Sequence, residues 1–381
     1  MTAHTSHRQD DELEILGLIS TQYASETHVA AGANIDKSYL SALALAHEYG
    51  NFDRVLIGYN SASPDGFQVA AYAAARTTRL KFLLAHRPGF VAPTLAARQL
   101  ATLDQLSDGR LAVHIITGGS DQEQARDGDF LPKDERYART DDYITVLKKT
   151  WTSNAPFDHD GTHYRLKDNF SSVKPLQRPH LPVFFGGASD AAIRVAGKHA
   201  NVYALFGETL DGVRETLDKV RASASAHGRA NEVRFSLSLR PILGRTEEEA
   251  WARARRILAE AKAIRDNGSV SLFRRAKSES TGSARLRSTA AGGAVRDKRL
   301  WTEIAELTGA QGNSTSLVGT PEQVVDALLD YYDLGITKFL FRGFDPLEDA
   351  TDYGRNLLPL FRARVAERRQ PRAALVNDAR S

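Results

Sequence analysis

At 381 residues, of which 42% are hydrophobic, the chain is long enough for one large domain or two ordinary ones. Its 50 basic and 47 acidic side chains nearly balance, so the charge indicates neither a nucleic-acid partner nor a membrane surface. No apolar run reaches the roughly 18 residues of a membrane-spanning helix, the N-terminus lacks the apolar core of a signal peptide, and the absence of cysteine excludes disulfides, thiolate metal sites and cysteine nucleophiles, so the expected location is cytoplasmic.

Strand and helix signals alternate along the chain. Short apolar runs predict strands at 15–20, 54–57, 80–85, 111–116, 183–185, 202–205, 235–239 and 338–341. Apolar residues at helical spacing predict a helix capped by Asp36 and further helices at 67–76, 93–106, 139–151, 189–198, 210–227, 247–265, 321–332 and 347–367, with a small hairpin at 157–166. Eight βα-type units favour an α/β fold, a TIM (β/α)8 barrel with insertions, over a doubly wound open sheet.

A single domain is predicted over residues 1–367, and two segments depart from its alternating pattern. Residues 268–299 are rich in Ser, Gly and Ala and carry an excess of basic side chains. This insertion is expected to be mobile, either as a solvated loop or as a cationic lid over the site. Residues 368–381 contain Pro371 and no clear apolar period, which predicts an exposed C-terminal tail.

Polar residues gather where two of the predicted strands end. His86 and Arg87 close the apolar run at 82–85, and the next strand ends in Thr117-Gly118-Gly119-Ser120. Because α/β barrels build active sites at the carboxyl ends of their strands, these residues are candidates for a site.

The common catalytic motifs are absent. The chain has no G-x-G-x-x-G after a strand, no Walker P-loop, no G-x-S-x-G elbow and no H-E-x-x-H. His159 and His163 lie four residues apart, but within the predicted hairpin they would not share a helix face, so no metal site is predicted. No basic stripe with interleaved aromatic residues is present, which argues against nucleic-acid binding.

One segment has the pattern of a phosphate site. Residues 183–192, VFFGGASDAA, read as a strand, a glycine pair and the start of a helix. Glycines let the backbone approach an anion closely, and free N–H groups at a helix N-terminus point towards it. Ser189 would add a hydroxyl donor, or serve only as the N-cap of the helix.

These motifs resemble the bacterial luciferase-like flavin-dependent monooxygenases, in particular the alkanesulfonate monooxygenase branch. The resemblance covers roughly residues 36–364 and depends on the order of four segments: APTLAARQLATLDQLSDGRL, GDFLPKDERY, FFGGASDAA and LVGTPEQVVDALLDYYDLGI. It implies a TIM barrel that takes reduced FMN (FMNH2) from a separate NAD(P)H:flavin reductase. With O2, such an enzyme oxidises a small organic substrate through a flavin (hydro)peroxide, and it is expected to be a homo-oligomer, dimer or tetramer.

The resemblance also implies positions for the cofactor. The FMN phosphate is expected to lie between Tyr137 and the segment that contains Gly186, Gly187 and Ser189. The isoalloxazine ring is expected against Ala85 and His86 on one strand and against the end of the next strand, with contacts from His114, Thr117 and Gly118.

Several expected alkanesulfonate residues are replaced. The family pattern has cysteine where this chain has Ser63, an Arg-x-His pair where it has Ser238-Leu239-Arg240, tyrosine at Phe344 and a loop arginine near Ala310. The sulfonate-handling set is therefore largely missing, and the substrate is left as a small organosulfur or similar compound.

The remaining candidates follow from their chemistry. His86 is a candidate proton carrier because histidine titrates near working pH, although it also fits a strand-end histidine bonded to a carbonyl. Arg87 is expected to anchor the ring or an anionic substrate, or to form a structural ion pair, and Arg240 to direct a cation towards the substrate. The expected substrate contacts are Tyr59, Asn60, Ser63 and Phe344.

Two other functions remain open at this point. One is an F420-dependent oxidoreductase, since relatives of this barrel use that cofactor for hydride transfer. The other is an FMN-binding protein without turnover, which the missing family residues make conceivable. Oxygen dependence separates these functions from the monooxygenase.

Overall fold

Eight parallel strands close into a barrel. They are β1 (Glu14–Ile19), β2 (Arg54–Ile57), β3 (Lys81–His86), β4 (Leu111–Ile115), β5 (Val183–Gly186), β6 (Val202–Phe206), β7 (Arg234–Leu243) and β8 (Lys338–Phe341). Neighbouring strands pair in parallel; β8 pairs with β1, and the pairing of β6 with β7 completes the ring. This computed structural model describes residues 12–267, 280–310, 312 and 314–369. The predicted TIM (β/α)8 barrel with insertions is confirmed, and the alternative prediction of a doubly wound open sheet is wrong.

The two faces of each strand bury different partners. One cluster of side chains fills the barrel interior, with one residue from each of seven strands: Leu16, Leu56, Leu83, Ala112, Phe184, Val202 and Leu340. Residues of the opposite parity, such as Leu84 and Val113, pack in a second cluster with the surrounding helices. Successive side chains alternate across a strand, so Ala85 and His114 face the barrel axis whereas His86 faces the helices.

Helices cover the outside of the barrel. Their bounds are Lys37–Tyr49, Gly66–Ala74, Pro93–Leu106, Asp121–Arg126, Lys133–Thr152, Asp190–His199, Leu210–Ser225, Glu247–Asp266, Thr281–Ala291, Glu303–Thr308, Pro321–Asp333, Pro346–Asp352 and Leu358–Arg369, with a π-helical turn at Tyr353–Leu357. Asp36 caps the first helix as predicted, because its carboxylate accepts hydrogen bonds from the Ser38 and Tyr39 N–H groups. Among the described residues, no helix combines the length and apolar character needed to cross a membrane.

The connection between β7 and β8 differs most from the prediction. A strand at Ser316–Gly319 pairs in parallel with the C-terminal half of β7, and it was not predicted. Residues 281–291 form a helix, so the loop prediction is wrong for this part of the insertion. The buried side of that helix consists only of Ser283, Leu286 and Ala290, too small and polar a stripe to stand out in the sequence. The predictions for 268–279 and for the tail from 370 fall outside the described residues.

The other small elements agree in kind with the prediction. The hairpin is present as strands Phe157–Asp160 and Arg165–Asn169. The helix predicted at 139–151 begins six residues earlier, at Lys133, which places Tyr137 in its second turn. Tyr137 can therefore reach the barrel from a helix and not from a loop.

Candidate active site

A cavity with a volume of about 800 Å³ opens at the carboxyl ends of the barrel strands. Five strand ends supply its wall: Ser20 follows β1, Tyr59 follows β2, Arg87 follows β3, Ser120 follows β4 and Arg342 follows β8. This is the end of a TIM barrel at which active sites form, because the βα loops converge there.

Three of the predicted substrate contacts lie on this wall: Tyr59, Asn60 and Ser63. The loop that carries them is held by its own hydrogen bonds. The Ser63 hydroxyl donates to the Asn60 carbonyl at 2.8 Å and accepts from the Asn60 N–H at 3.0 Å. The loop therefore presents a fixed surface to the cavity, as substrate contact requires.

Arg87 forms a buried ion cluster at one end of the cavity. Its Nη2 donates to both carboxylate oxygens of Glu123 at 3.0 Å, and its Nη1 lies 3.7 Å from Asp127 Oδ2. The guanidinium carbon lies 4.6 Å from the ring centroid of Tyr59 and 5.7 Å from that of Phe90. One cation thus faces two carboxylates here, so the predicted structural ion pair is present. Because these carboxylates neutralise the guanidinium, Arg87 has little positive charge left to attract an anionic substrate.

Arg240 belongs to a second ion cluster at the opposite end. Its Nη2 donates to Glu26 Oε2 at 2.8 Å and to the Gly343 carbonyl at 3.0 Å, and its Cζ lies 3.4 Å from the Phe344 ring centroid. Arg240 and Phe344 are both fully buried, and neither lines the cavity. The structure therefore does not place Phe344 on the cavity wall, where a substrate contact was expected; its ring packs against the Arg240 guanidinium.

Two residues that the sequence analysis missed connect this cluster to the cavity. Glu26 and Arg342 both line the wall, and Arg342 Nη2 lies 3.3 Å from Glu26 Oε1. Burial alone would raise the pKa of Glu26, but the charges of Arg240 and Arg342 outweigh it and lower the pKa to about 2. Glu26 is therefore an anion at any physiological pH.

The predicted phosphate residues come together at the end of β5. Ser189 caps the helix Asp190–His199, and its hydroxyl accepts from the Ala192 N–H at 3.3 Å. Gly187 has a φ of +139°, and a Cβ built on it would lie 2.9 Å from the Tyr137 hydroxyl and 2.7 Å from the Ala192 Cβ. A side chain at this position would fill the space between Tyr137 and the helix N-terminus, so glycine keeps a cradle open there.

The predicted ring contacts lie next to this cradle. Ala85 pairs in register with His114 between β3 and β4, and a Cβ built on Gly186 would lie 3.7 Å from the His114 Cε1. His114 Nδ1 and Thr117 Oγ1 are buried without a hydrogen-bond partner in the described part of the chain. Gly118 turns the chain with a φ of +92°. Buried polar atoms are rarely left unpaired, so these two fit the polar edge of a bound ring.

Together the cradle and the unpaired atoms fit FMN. The cradle offers hydroxyl and N–H donors for a phosphate, and the strand ends offer His114 and Thr117 to a heterocycle. These cofactor residues do not line the large cavity, whose wall comes nearest to them along the chain at Gly119 and Ser120.

The comparison with known families decides the classification. The family model described as "Luciferase-like monooxygenase" matches residues 15–338, which is most of the chain. The chain belongs to the luciferase-like monooxygenase family. It is accordingly an oxidoreductase of the monooxygenase class, as the sequence resemblance predicted.

Solved structures agree with the fold of this luciferase-like monooxygenase. A riboflavin lyase, solved with modified FMN and riboflavin, has a TM-score of 0.77 at 20% identity, over 93% of this chain and 92% of that one. DmoA from Hyphomicrobium sulfonivorans has a TM-score of 0.73 at 21% identity, over 93% and 88%. An F420-dependent secondary alcohol dehydrogenase has a TM-score of 0.67 at 15% identity, over 92% and 99%. At these identities the likeness shows the shared barrel alone.

His86 lies away from the site of this luciferase-like monooxygenase. Its Nε2 is 2.7 Å from the Tyr143 hydroxyl, and its ring packs edge-on against Phe67, both on outer helices. The Tyr143 hydroxyl donates to the Val91 carbonyl at 3.0 Å, so its one proton is used there and His86 Nε2 is the donor between the two side chains. Burial lowers the pKa of His86 to about 4. This position does not support the proton-transfer role predicted from the sequence, and it leaves His86 as a neutral packing residue.

A signal for Arg342 was present in the sequence. Arg342 directly follows the apolar strand at 338–341, in the same way that Arg87 follows β3. Glu26 had no such signal, because it lies in an irregular loop. It contacts Arg240, 214 residues away in the chain, only because the barrel closes.

Proposed function

We propose that this enzyme binds reduced FMN supplied by a separate NAD(P)H:flavin reductase and uses O2 to oxidise a small organic substrate. It would act as a homo-oligomer, a dimer or a tetramer. The observation that carries the proposal is the cradle formed by Tyr137, Gly187 and Ser189 beside the unpaired atoms of His114 and Thr117.

The phosphate of FMN would be held by neutral donors. Ser189 and the first N–H groups of the helix Asp190–His199 point to the cradle, where the positive end of the helix dipole favours an anion. Burial raises the pKa of Tyr137, so its hydroxyl keeps the proton and can donate it in a hydrogen bond.

The ring would lie at the ends of β3 and β4. Reduced FMN, when bound, would supply two of the four electrons that reduce O2; the substrate would supply the other two as it takes up one oxygen atom, and the second atom would leave as water. Burial lowers the pKa of His114 to about 4, so its imidazole is neutral at pH 7 and its Nδ1 is free to pair with a polar ring atom. Small Ala85 beside it leaves room for a flat group against the strand.

The cavity is suited to a small substrate. Its volume of about 800 Å³ is within the range of pockets that bury small organic molecules. Tyr59 and the loop at 60–63 form one part of the wall, and the residues that follow the neighbouring strands β1 and β8 form another. A substrate bound in the cavity would displace water from it, which protects reactive steps from solvent.

The first experiment measures cofactor binding without turnover. Reduced FMN, oxidised FMN and F420 are titrated anaerobically into the protein while the fluorescence of its three tryptophans is recorded. We expect tightest binding of reduced FMN, and at least about tenfold weaker binding in Ser189→Ala and in Tyr137→Phe, since each removes a hydrogen bond to a charged group. The matched controls are Ser41→Ala and Tyr49→Phe on the outer helix Lys37–Tyr49, which should leave the affinity unchanged.

The second experiment tests oxygen chemistry. The anaerobic complex with reduced FMN is mixed with buffer containing 18O-labelled O2 and candidate substrates, and products are analysed by mass spectrometry. One labelled oxygen atom in the product supports the monooxygenase. Tighter binding of F420 than of reduced FMN would indicate a hydride-transfer enzyme instead of a monooxygenase. Binding of FMN with no labelled product from any substrate would favour an FMN-binding protein without turnover.

A further inference from the structure

Tyr203 is a buried side chain that meets the cradle from the outer face of the barrel. It lies on β6 in register with Phe185 of β5, and both side chains pack in the cluster between the strands and the surrounding helices. The Tyr203 hydroxyl donates a hydrogen bond to the Gly187 carbonyl at 2.6 Å. Tyr203 therefore reaches the cradle through the backbone of Gly187 and does not line the cavity.

The Tyr203 hydroxyl is firmly held in this position. The residue is 1% exposed, and its ring packs edge-on against Phe235 on the neighbouring strand β7, with 6.5 Å between the ring centroids. Burial raises the pKa of Tyr203, so the phenol keeps its proton throughout the physiological pH range. The hydroxyl is therefore a constant donor to the Gly187 carbonyl.

This hydrogen bond is important because Gly187 has unusual backbone freedom. Its φ of +139° lies in a region that residues with side chains rarely adopt. A Cβ built on Gly187 would point towards Tyr137 and Ala192, so this side of the residue faces the cradle. The carbonyl oxygen is held by Tyr203 instead. Without that hydrogen bond, the freedom of glycine would let the peptide between Gly187 and Ala188 rotate.

Rotation of this peptide would change the charge that faces the cradle. The C=O and N–H groups of a planar trans peptide point in opposite directions, so a fixed Gly187 oxygen also fixes the direction of the Ala188 N–H. A carbonyl oxygen turned into the cradle would bring partial negative charge towards a phosphate and oppose the dipole of the helix Asp190–His199. Tyr203 thus stabilises the backbone arrangement that an anion requires.

We propose that Tyr203 is a positioning residue for the cofactor phosphate: it holds the Gly187 carbonyl away from the cradle and keeps the backbone N–H groups available to the anion. Tyr203 does not itself donate to the phosphate, since its one proton is donated to Gly187. The inference rests on the proposed function, because it takes the phosphate of FMN to be the ligand of the cradle.

A comparison of two flavins isolates the contribution of the phosphate. Reduced FMN and reduced riboflavin, which lacks the phosphate, are titrated anaerobically into the wild type and Tyr203→Phe while tryptophan fluorescence is recorded. We expect the affinity for reduced FMN to fall by about three- to tenfold in Tyr203→Phe, the effect of one neutral hydrogen bond. The affinity for reduced riboflavin should be unchanged, since riboflavin places no anion in the cradle.

The matched control is Tyr331→Phe on the helix Pro321–Asp333. Tyr331 is 2% exposed, and its hydroxyl donates to the Glu208 carbonyl at 2.7 Å, so this variant loses the same kind of buried hydrogen bond. Its affinity for both flavins should equal that of the wild type. Thermal unfolding of each variant checks folding. Tyr203→Met, which also lacks a donor and adapts to irregular packing, replaces Tyr203→Phe if that variant does not fold.

The outcomes separate this inference from the proposed function. Equal losses of affinity for both flavins in Tyr203→Phe, no loss for either flavin, or an equal loss of FMN affinity in Tyr331→Phe would overturn the inference. These results would leave the proposed function intact, because the wild type would still bind reduced FMN more tightly than riboflavin. If the wild type binds reduced FMN no more tightly than riboflavin, or binds neither, the proposed phosphate site fails and the inference fails with it.

Discussion

The two ends of the cavity use the same kinds of residue to opposite effect. At the end of β3, one arginine meets two carboxylates that are each about a quarter exposed, at 23% for Glu123 and 24% for Asp127. Within β7 and just after β8, two arginines meet one carboxylate that is only 11% exposed. Solvent screens the carboxylates of the first cluster more than it screens Glu26 in the second, and this difference makes the second cluster the more sensitive to loss of its carboxylate.

The largest effect is expected from Glu26→Gln. Removing the shared carboxylate leaves the buried Arg240 without a counter-charge, and breaking a buried pair in this way costs about 3–5 kcal/mol. Urea unfolding followed by circular dichroism measures the loss. Glu260→Gln, on an outer helix with a loose partner at 3.8 Å, is the control and should change stability by no more than about 0.5 kcal/mol. A loss at Glu26 as small as that of the control would mean that the cluster is hydrated.

The pH dependence of the unfolding free energy should reveal the contribution of the same carboxylate, Glu26. The pKa of Glu26 is lowered from 4.5 to about 2 in the folded protein, so its contribution is complete above pH 4.5 and is lost as the pH falls towards 2. The loss is on the order of 3 kcal/mol. Unfolding measured across this range should therefore be less steep in Glu26→Gln than in the wild type. Parallel curves for the two proteins would contradict the assignment.

A smaller effect is expected at the other end, from Glu123→Gln. The amide can still accept a hydrogen bond from Arg87, Asp127 remains 3.7 Å from Arg87 Nη1, and solvent reaches the site. We expect a loss of about 1–2 kcal/mol in the same urea assay. The loss of unfolding free energy in Glu26→Gln divided by the loss in Glu123→Gln is the sharpest test of the difference between the two clusters. Equal losses would show that the clusters do not differ.

The smallest effect is expected from Arg126→Gln. Arg126 is exposed at the end of its helix and has no ion pair within 4.0 Å in the described part of the chain. Its removal should change stability by no more than about 0.5 kcal/mol in thermal or urea unfolding. A larger change would show that the charge balance of the β3–β4 end depends on more than Arg87 and its two carboxylates.

Much of the fold was predictable because its signals are local. The apolar runs at 54–57 and 338–341 became β2 and β8 with the predicted bounds, and Asp36 caps its helix as expected. The helix Thr281–Ala291 was not predicted, because its buried stripe is weak and its stability depends on packing against other elements of the insertion.

The site was predictable only in part. Tyr137, Gly187 and Ser189 were expected together and do meet, since a strand, a glycine turn and a helix N-terminus dictate much of that geometry. His86 was assigned to the site and lies outside it. Parallel strands are buried on both faces, so the run before His86 shows no alternation from which its direction could be inferred.

Local patterns were thus enough for the barrel, the cradle and the polar strand ends, because each depends on residues that are close together in the chain. The closed barrel alone decided the rest: which face of β3 carries His86, and that Glu26 after β1 meets Arg240 on β7 and Arg342 after β8. These contacts join residues more than 200 positions apart. Their charge balance follows from burial in three dimensions, which no short segment of the sequence encodes.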